Sequence, residues 1–565
     1  MPEPSVTEKI LSEDFADVIL PIQIDVYQFM DTYEELGGQS LGGGYGMVHV
    51  PLSILPQNPL SYLGYYNLPK LYTLLDQVSL ETSGILIFQS QPLLGYRGEN
   101  VILGFIDTGI DYTSAFFRRR DGRTRIVGIW DQTDQSGTPP QDQKYGSVYT
   151  QDDINEALSL TDPFSRIPSR DENGHGTFLA SIAAGSSHVT TNFSGAAPDA
   201  DIAMVKLKPA KKYLRDFYLV RSETPAYQET DLMTAIQYLR TTAEQQKKPL
   251  VICIGLGTNQ GSHSGASPLA EAIHAVNTVD GIYTVIAGGN EAGQGHHYAG
   301  SVSEAGSVQA VEILVGEGER GFTTELWAQS PELYAVSLTS PLGENIPTIP
   351  ARIGQTITLN FTLEKTRVDV SYELVEARSG NQLIFLRFQD PTPGIWTIRV
   401  ENRLFINGEF HLWLPITGFL SAETVFLSPN PDITLTDPSS TSIPITVSTY
   451  DAHTGGLYLH SSRGYTRSGE MKPDLAAPGV NISGLGENGK IIQKTGSSMA
   501  AAITAGAVAL LINWGLNSST NHLFTSWEVR NLLIRGANRS PDLTYPNRSW
   551  GYGTLNVYGA LESFL

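Results

Sequence analysis

The spacing of hydrophobic and polar positions changes along the chain. From residue 101, short apolar runs alternate with stretches of helical period. The apolar runs cover residues 101–106, 202–207, 250–254 and 283–287, and the helical stretches follow Gly176 and cover residues 232–244 and 268–276. Strands that alternate with helices are typical of βαβ units. The pattern therefore predicts an α/β fold with a mostly parallel sheet and helices on both faces.

A second pattern interrupts this one between residues 317 and 448. Helical period disappears there, and apolar residues occupy every second position, as in Ile357, Leu359, Phe361 and Leu363, and in Trp396, Ile398 and Val400. Such alternation, punctuated by Pro and Gly, predicts an antiparallel β-sandwich. Helical period returns from Ser498 to Trp514 and near residues 526–535. We therefore expect the sandwich to be inserted between residues 93–316 and 449–565 of one α/β domain.

The first 92 residues have a mixed pattern. Strand-like runs at residues 16–22 and 47–52 flank a glycine-rich loop, which is typical of a small sheet. Pro69 stands where a first helical turn would begin, and Leu71, Leu74, Leu75 and Val78 follow at helical spacing. This segment is predicted to be a small α+β unit with an amphipathic helix near its end.

Composition and charge restrict the classes of molecule that the protein is expected to bind. The formal net charge of −21 over 565 residues would repel nucleic acid and anionic lipid surfaces. Cys253 is the only cysteine, so an internal disulfide cannot form. The first 20 residues lack the basic and apolar regions of a secretory signal. No uninterrupted apolar run approaches the roughly 20 residues of a membrane span. We expect a soluble protein without a nucleic-acid or membrane partner.

One segment carries a carboxylate and another carries a histidine, each at a position where a catalytic residue could lie. Asp107, in Gly-Phe-Ile-Asp-Thr-Gly-Ile-Asp, ends an apolar strand, where catalytic groups gather in open α/β sheets. An aspartic protease would need a second Asp-Thr-Gly or Asp-Ser-Gly, and none occurs. His175 lies between two glycines ahead of a small-residue helix. Taken singly, each motif is explained as well by a structural turn or an ordinary polar residue.

Two more segments carry a serine and an amide. Ser498, in Thr-Gly-Ser-Ser-Met-Ala, begins a predicted helix, whose unpaired N–H groups can stabilise an oxyanion. Alone, it would be interpreted as a helix cap. Asn290, in Ala-Gly-Gly-Asn-Glu, follows a buried strand and could donate to the same oxyanion, although an isolated Asn after glycines is usually a turn.

Together, in the order Asp, His, Asn, Ser, the four segments resemble the subtilisin family of serine proteases, and this order excludes the α/β-hydrolases. The resemblance implies that Ser498 is the nucleophile, His175 the general base and Asp107 its orienting carboxylate, with Asn290 at the oxyanion. It also implies that Gly255, Leu256 and Gly257 line an extended peptide substrate. Ser497 and Ala502 replace the family's usual Thr and Pro. Neither a metal-ligand pattern nor a cofactor motif is found.

Within that family the chain looks most like the clostridial Csp germination proteases. This resemblance implies that residues 1–92 are a prodomain bound in the cleft after self-cleavage, expected between residues 89 and 97. It also implies a jelly-roll-like insert and activation of a cortex-lytic zymogen. Without a signal peptide or membrane span, we expect the protein in the bacterial cytoplasm or associated with the spore. Two alternatives stay open: a catalytically silent scaffold whose prodomain blocks the cleft, and a general degradative protease.

Overall fold

A computed structural model describes residues 4–23, 25–56, 58–74, 83–85, 89, 95–187, 193–351, 355–486, 489–518 and 521–564. The helices are α1 Val6–Leu11, α2 Val26–Thr32, α3 Leu60–Leu63, α4 Gln151–Leu158, α5 His175–Ala184, α6 Lys212–Phe217, α7 Glu229–Gln246, α8 Pro268–Asn277, α9 Ser497–Asn517, α10 Ser526–Gly536 and α11 Val557–Glu562. The strands are β1 Phe15–Pro21, β2 Gln39–Gly42, β3 Tyr45–Pro51, β4 Leu71–Leu74, β5 Ile102–Asp107, β6 Ile126–Asp131, β7 Ser147–Thr150, β8 Asp201–Lys206, β9 Tyr227–Gln228, β10 Leu250–Ile254, β11 Leu256–Gly257, β12 Ile282–Ala287, β13 His297–Ser301, β14 Val308–Val315, β15 Gly321–Ala328, β16 Leu333–Thr339, β17 Asn345–Ile349, β18 Thr356–Asn360, β19 Arg367–Glu373, β20 Gln382–Gln389, β21 Gly394–Leu404, β22 Glu409–Trp413, β23 Val425–Phe426, β24 Ile445–Tyr450, β25 Leu475–Pro478, β26 Ile482–Leu485 and β27 Ile491–Lys494.

An eight-stranded sheet forms the centre of the molecule, in the order β25-β24-β12-β10-β5-β8-β6-β7. All neighbours in it are parallel except β6 and β7. Helices α5 and α9 share one apolar core with one face of the sheet, and α7 and α8 share another core with the opposite face. Because both faces are covered, β5, β8 and β12 are buried along their whole length. The predicted α/β class is confirmed.

Helix α9 runs through the interior of this fold. Among the described residues, it is the one helix whose length and hydropathy would suit a membrane span. However, 94% of that apolar stretch is buried inside the protein. Its composition is therefore explained by packing against the central sheet.

The N-terminal unit, residues 4–74, contains a three-stranded antiparallel sheet in the order β1-β3-β2. It packs on α7 and α8, where a Cβ on Gly43 would lie 2.9 Å from Cα of Ala272. Lys211 donates to the buried Asp17 at 2.9 Å, and the His49 ring lies 2.6 Å from the same carboxylate. Burial alone would raise the pKa of Asp17, but Lys211 and His49 lower it below its ordinary value. A buried ionic contact thus joins the unit to the α/β domain.

The helix predicted after Pro69 is wrong where the structure describes it. Residues 71–74 form strand β4, which lies between β9 and β11 and is antiparallel to both. The remaining predicted helical positions, Leu75 and Val78, lie outside the described residues. Apolar spacing at helical period is only a local preference, and backbone pairing on both edges overrides it here.

Two antiparallel sheets follow between residues 297 and 426, and we call this region the sandwich. One sheet has six strands in the order β13-β22-β15-β20-β19-β18, and the other has five in the order β17-β16-β21-β14-β23. Val311, Trp396 and Leu412 are among the side chains that form an apolar core between them. The regular alternation of buried and exposed positions along β21 is the pattern that predicted this strand.

Candidate active site

The site begins where β5 ends and α5 begins. Asp107 is the last residue of β5, and His175 is the first residue of α5. The Nδ1 atom of His175 lies 2.8 and 2.9 Å from the two carboxylate oxygens of Asp107, and both side chains are buried. The geometry is suited to holding the imidazole in one tautomer with Nε2 facing away from the carboxylate.

Glycine at position 176 permits this close approach. A Cβ there would lie 2.2 Å from the carbonyl oxygen of Gly109 and 3.1 Å from Cβ of Asp107. Any larger residue would push the start of α5 away from β5. The glycine that follows His175 therefore has a steric role in bringing the histidine to the carboxylate.

Thr108 and Asp171 support this pair and were not singled out in the sequence. The Thr108 hydroxyl donates to Asp171 at 2.7 Å and accepts from the Gly176 N–H at 3.0 Å. Asp171 also accepts from the N–H groups of Gly174 and Thr177, each at 2.8 Å. An acidic residue just ahead of a predicted helix start was the signal that would have indicated this cap.

Ser498 lies in the first turn of α9 and is fully buried. Its hydroxyl donates to the carbonyl oxygen of Gly255 at 3.0 Å. A Cβ on Gly255 would lie 2.9 Å from Leu179, one turn beyond His175 on α5, and 3.2 Å from Oγ of Ser498. The serine, the histidine helix and the end of β10 therefore meet around Gly255.

Asn290 lies at the end of β12, beside the start of α9. Its Oδ1 accepts from the Ser497 N–H at 3.0 Å, and the Ser497 hydroxyl accepts from the Gly289 N–H at 3.2 Å. Gly289 has φ of 110°, a conformation that favours glycine. These bonds hold the amide against the nucleophile segment. Ser497, noted in the sequence only as a replacement for threonine, thus ties the two segments together.

Strands β9 and β11 flank a slot that we call the channel, and β11 directly follows Gly255, the residue bonded to the Ser498 hydroxyl. Residues 256 and 257 form β11 and pair with Leu74 and Thr73, respectively, of β4. On its other edge, β4 pairs Leu71 with Gln228 and Tyr72 with Tyr227 of β9. The predicted substrate segment Gly255, Leu256, Gly257 is therefore occupied at Leu256 and Gly257 by the end of the N-terminal unit.

Gln89, the first residue of the stretch expected to contain the self-cleavage bond, lies away from Ser498. Gln89 donates to the carbonyl oxygens of Gly195 and Ala196 at 3.0 and 2.6 Å. Gly195 is bonded to Gly185, at the end of α5 opposite His175. A ten-residue helix is about 15 Å long, so this contact is remote from the nucleophile. Residues 90–94 lie outside the described residues.

Three further histidines, His296, His297 and His411, are engaged in protein contacts. The Nδ1 atom of His296 lies 2.7 Å from Glu291, and Nε2 of His297 lies 3.0 Å from Nδ1 of His411. In the described part of the chain, no group of three or more His, Cys, Asp or Glu side chains is arranged to hold a metal ion.

An acid–histidine pair, a serine at a helix N-terminus and an oriented amide, on an α/β sheet, make up the arrangement that is typical of serine proteases of the subtilisin type. The sequence profile of the subtilase family, peptidase S8, matches residues 98–378 and 421–553. The chain belongs to this family.

Individual relatives agree with this assignment. The structure of the CspB protease of Clostridium perfringens is similar with a TM-score of 0.76 and 30% identity, over 85% of this chain and 96% of that one. The PII-type proteinase of Lacticaseibacillus paracasei is 22% identical over 83% of this chain but 26% of its own length. The subtilisin-like protease SBT3.5 of Arabidopsis thaliana is 27% identical over 73% and 56%, respectively. The chain thus spans about a quarter of the length of the PII-type proteinase and little over half of the length of SBT3.5.

Proposed function

We propose that this chain is an active serine endopeptidase in which Ser498, His175 and Asp107 form the catalytic triad. The observation that carries the proposal is the direct contact of His175 with Asp107, on the helix whose Leu179 meets the buried Ser498 around Gly255. His175 takes the Ser498 proton as the hydroxyl attacks a peptide carbonyl, and then gives it to the leaving amine. Asp107 stabilises the imidazolium that forms between these steps. Water then releases the acyl group by the same route.

The oxyanion of the tetrahedral intermediate is held by Asn290 and by the backbone N–H of Ser498. The bond from Ser497 to Oδ1 of Asn290 supports this role, because it leaves the Nδ2 group to donate. The N–H of Ser498 lies in the first turn of α9, where backbone donors lack helical partners. Loss of one such donor typically lowers kcat by about a hundred- to a thousandfold.

We also propose that the N-terminal unit is a prodomain that the enzyme cleaves from itself, and that its end occupies the channel as a substrate would. Gly257 pairs with Thr73 and Leu256 with Leu74, so the described end of β4 runs along the substrate segment towards Gly255. Because the Gly255 carbonyl accepts from the Ser498 hydroxyl, we propose that the serine attacks the carbonyl of the residue that directly follows β4 in the sequence, Leu75. The proposed scissile bond is Leu75–Asp76, and a bond between residues 89 and 97, as the sequence suggests, is the alternative.

Expression of the full chain beside the Ser498→Ala variant tests these proposals. We expect the wild type to separate into two fragments, the larger beginning at Asp76, and the variant to stay intact. A fluorophosphonate probe should label wild-type Ser498. Cleavage of both proteins would indicate a contaminating protease, and an intact, unlabelled wild type would contradict the assignment of activity. A new N-terminus between residues 89 and 97 would overturn the proposed Leu75–Asp76 bond while leaving the assignment of activity intact.

The alternative functions give different results in the same preparation. A silent scaffold, which is favoured by the occupied channel, neither splits nor labels. A general degradative protease digests casein once the N-terminal unit has been cleaved. Zymogen activation during spore germination, which the likeness to the Csp proteases supports, predicts little casein digestion and efficient cleavage at few sites in a target protein.

A further inference from the structure

Tyr72 occupies a closed pocket beside the channel. With the proposed Leu75–Asp76 bond as reference, it is the fourth residue before the scissile bond. Its backbone pairs with Tyr227 of β9, and its side chain is fully buried in the same apolar cluster as Leu232, Leu256 and Leu269. A substrate residue at this position would therefore be enclosed by the enzyme.

The pocket is closed by a carboxylate. The phenol of Tyr72 donates to Oδ2 of Asp437 at 3.0 Å, and Asp437 is itself 2% exposed. Ser267, the N-terminal cap of α8, donates to the same oxygen at 2.6 Å. An acidic residue at the bottom of an otherwise apolar pocket is not needed to hold an aliphatic or plain aromatic side chain.

Backbone bonds fix the position of Asp437. Its N–H donates to the carbonyl of Thr258 at 2.9 Å, and the Thr258 N–H donates to the Asp437 carbonyl at 3.1 Å. Thr258 directly follows β11, so the carboxylate is anchored to the strand that lines the channel. It is part of the channel wall and not of the N-terminal unit.

The groups around Asp437 favour binding of a neutral hydroxyl group over binding of a cation. Burial raises the pKa of Asp437 to about 7, and the nearby Glu229 adds to this effect against the hydrogen bonds from Ser267 and Tyr72. A raised pKa weakens the attraction of this carboxyl group for a positive charge near neutral pH. Glu229 is also engaged, since it accepts from the N–H groups of Lys70 and Leu269 at 3.1 Å.

We infer that Asp437, aided by Ser267, is a specificity-determining residue that selects tyrosine at the fourth position before the scissile bond in proteins cleaved by this enzyme. The inference rests on the proposed function. Tyr72 of the N-terminal unit would then be the type of residue that a substrate must place in this pocket to displace the unit. A site that hydrogen-bonds a substrate hydroxyl rejects the analogue that lacks it, because the buried polar group is left without its partner.

A competition assay with the self-processed full chain tests this selectivity. The substrates are acetylated tetrapeptide aminomethylcoumarins that end in Thr-Leu-Leu and begin with tyrosine, phenylalanine or lysine. Both members of a pair compete with the same bound N-terminal unit, so the ratio of their kcat/KM values does not depend on how much enzyme is free. We expect tyrosine to be preferred over phenylalanine by about tenfold or more, with lysine below both.

Two variants separate hydrogen bonding from shape. Asp437→Leu keeps the approximate size but removes the acceptor, and it should bring the tyrosine-to-phenylalanine ratio to within about twofold of one. Asp437→Asn keeps an acceptor and should retain most of the preference. The wild-type ratio is decisive without either variant, should they fold poorly.

Each other outcome has a distinct meaning. A wild-type ratio near one overturns the inference while leaving the protease intact, as does faster cleavage of the lysine peptide. Cleavage of none of the peptides, together with no labelling of Ser498, overturns the proposed function and the inference with it.

Discussion

The two sheets of the sandwich share one core but differ in what covers their other faces. In the five-stranded sheet, buried and exposed positions alternate along β14 and β21. In the six-stranded sheet, β15 is buried along its whole length and β20 at all but its last residue. Ile384 and Leu386 of β20 face the core of the sandwich, whereas Leu383 and Phe385 belong to the core of the α/β domain. One strand therefore contributes to two cores.

This difference shows how the sandwich is attached. Trp327 and Trp413 join Leu383 and Phe385 in the core of the α/β domain. Glu325, on the same face, accepts from the Tyr65 hydroxyl of the N-terminal unit at 2.6 Å. We call this the docking face. The sandwich is thus packed against both the α/β domain and the N-terminal unit, and the five-stranded sheet faces solvent.

The largest expected effect comes from Trp327→Ala on the docking face. Trp327 is fully buried, its ring lies 5.4 Å from that of Tyr65, and its indole N–H donates to Glu325 at 3.0 Å. Truncation should lower the free energy of unfolding by about 3–5 kcal/mol, as expected for a buried tryptophan. Urea denaturation measures the change. Ile395→Ala, on the outer face of the five-stranded sheet, is the matched control and should cost less than about 1 kcal/mol. If both variants lower the free energy of unfolding by the same small amount, attachment of the sandwich through the docking face is contradicted.

A pH-dependent effect is expected from Glu325→Gln. Burial raises the pKa of Glu325 above its ordinary value of 4.5. Between the ordinary and the raised pKa the folded protein binds more protons than the unfolded chain, so the carboxyl group lowers stability as pH rises through that window. The stability of Glu325→Gln relative to wild type should therefore increase with pH above about 4.5. Denaturation midpoints at several pH values test this.

The control for that series is Glu312→Gln on the exposed face of β14. It removes a carboxylate of the same type from solvent, so its stability relative to wild type should change little with pH. A parallel rise in both variants would mean that overall charge, and not burial on the docking face, causes the effect.

The smallest effect is expected from Arg378→Ala at the edge of the docking face. Arg378 donates to Glu271 at 3.0 Å, and its guanidinium lies 4.3 Å from the centre of the Tyr45 ring of the N-terminal unit. Loss of a partly buried cation–π contact and ion pair should cost about 1 kcal/mol. Arg403→Ala, which removes a half-exposed pair with Glu401 from the five-stranded sheet, should be close to neutral in the same denaturation assay. A larger cost for Arg403→Ala than for Arg378→Ala would contradict attachment of the sandwich through the docking face.

Much of the site follows from local sequence. The small residues around His175 and Ser498, and the positions of Asp107 and Asn290 after apolar strands, indicate which residues meet, because parallel strands bring their carboxyl ends to one edge of the sheet. Alternation at period two likewise predicts the half-exposed strands of the sandwich. The local cap by Asp171 had a sequence signal, but its bond with Thr108 required the folded neighbours, since partners distant in sequence leave no periodic signal.

The amino-acid sequence by itself determines the α/β class, the separate β region and the candidate triad, because apolar period and motif chemistry are properties of neighbouring residues. The path of Leu71–Leu74 through the channel, the two-sided burial of β15 and β20, and the contact of Tyr72 with Asp437 depend on tertiary packing. Residues 72 and 437 are 365 positions apart, and a strand whose faces are covered by different parts of the molecule loses its alternation. Such arrangements depend on which surfaces meet, and that is decided only when the whole chain has folded.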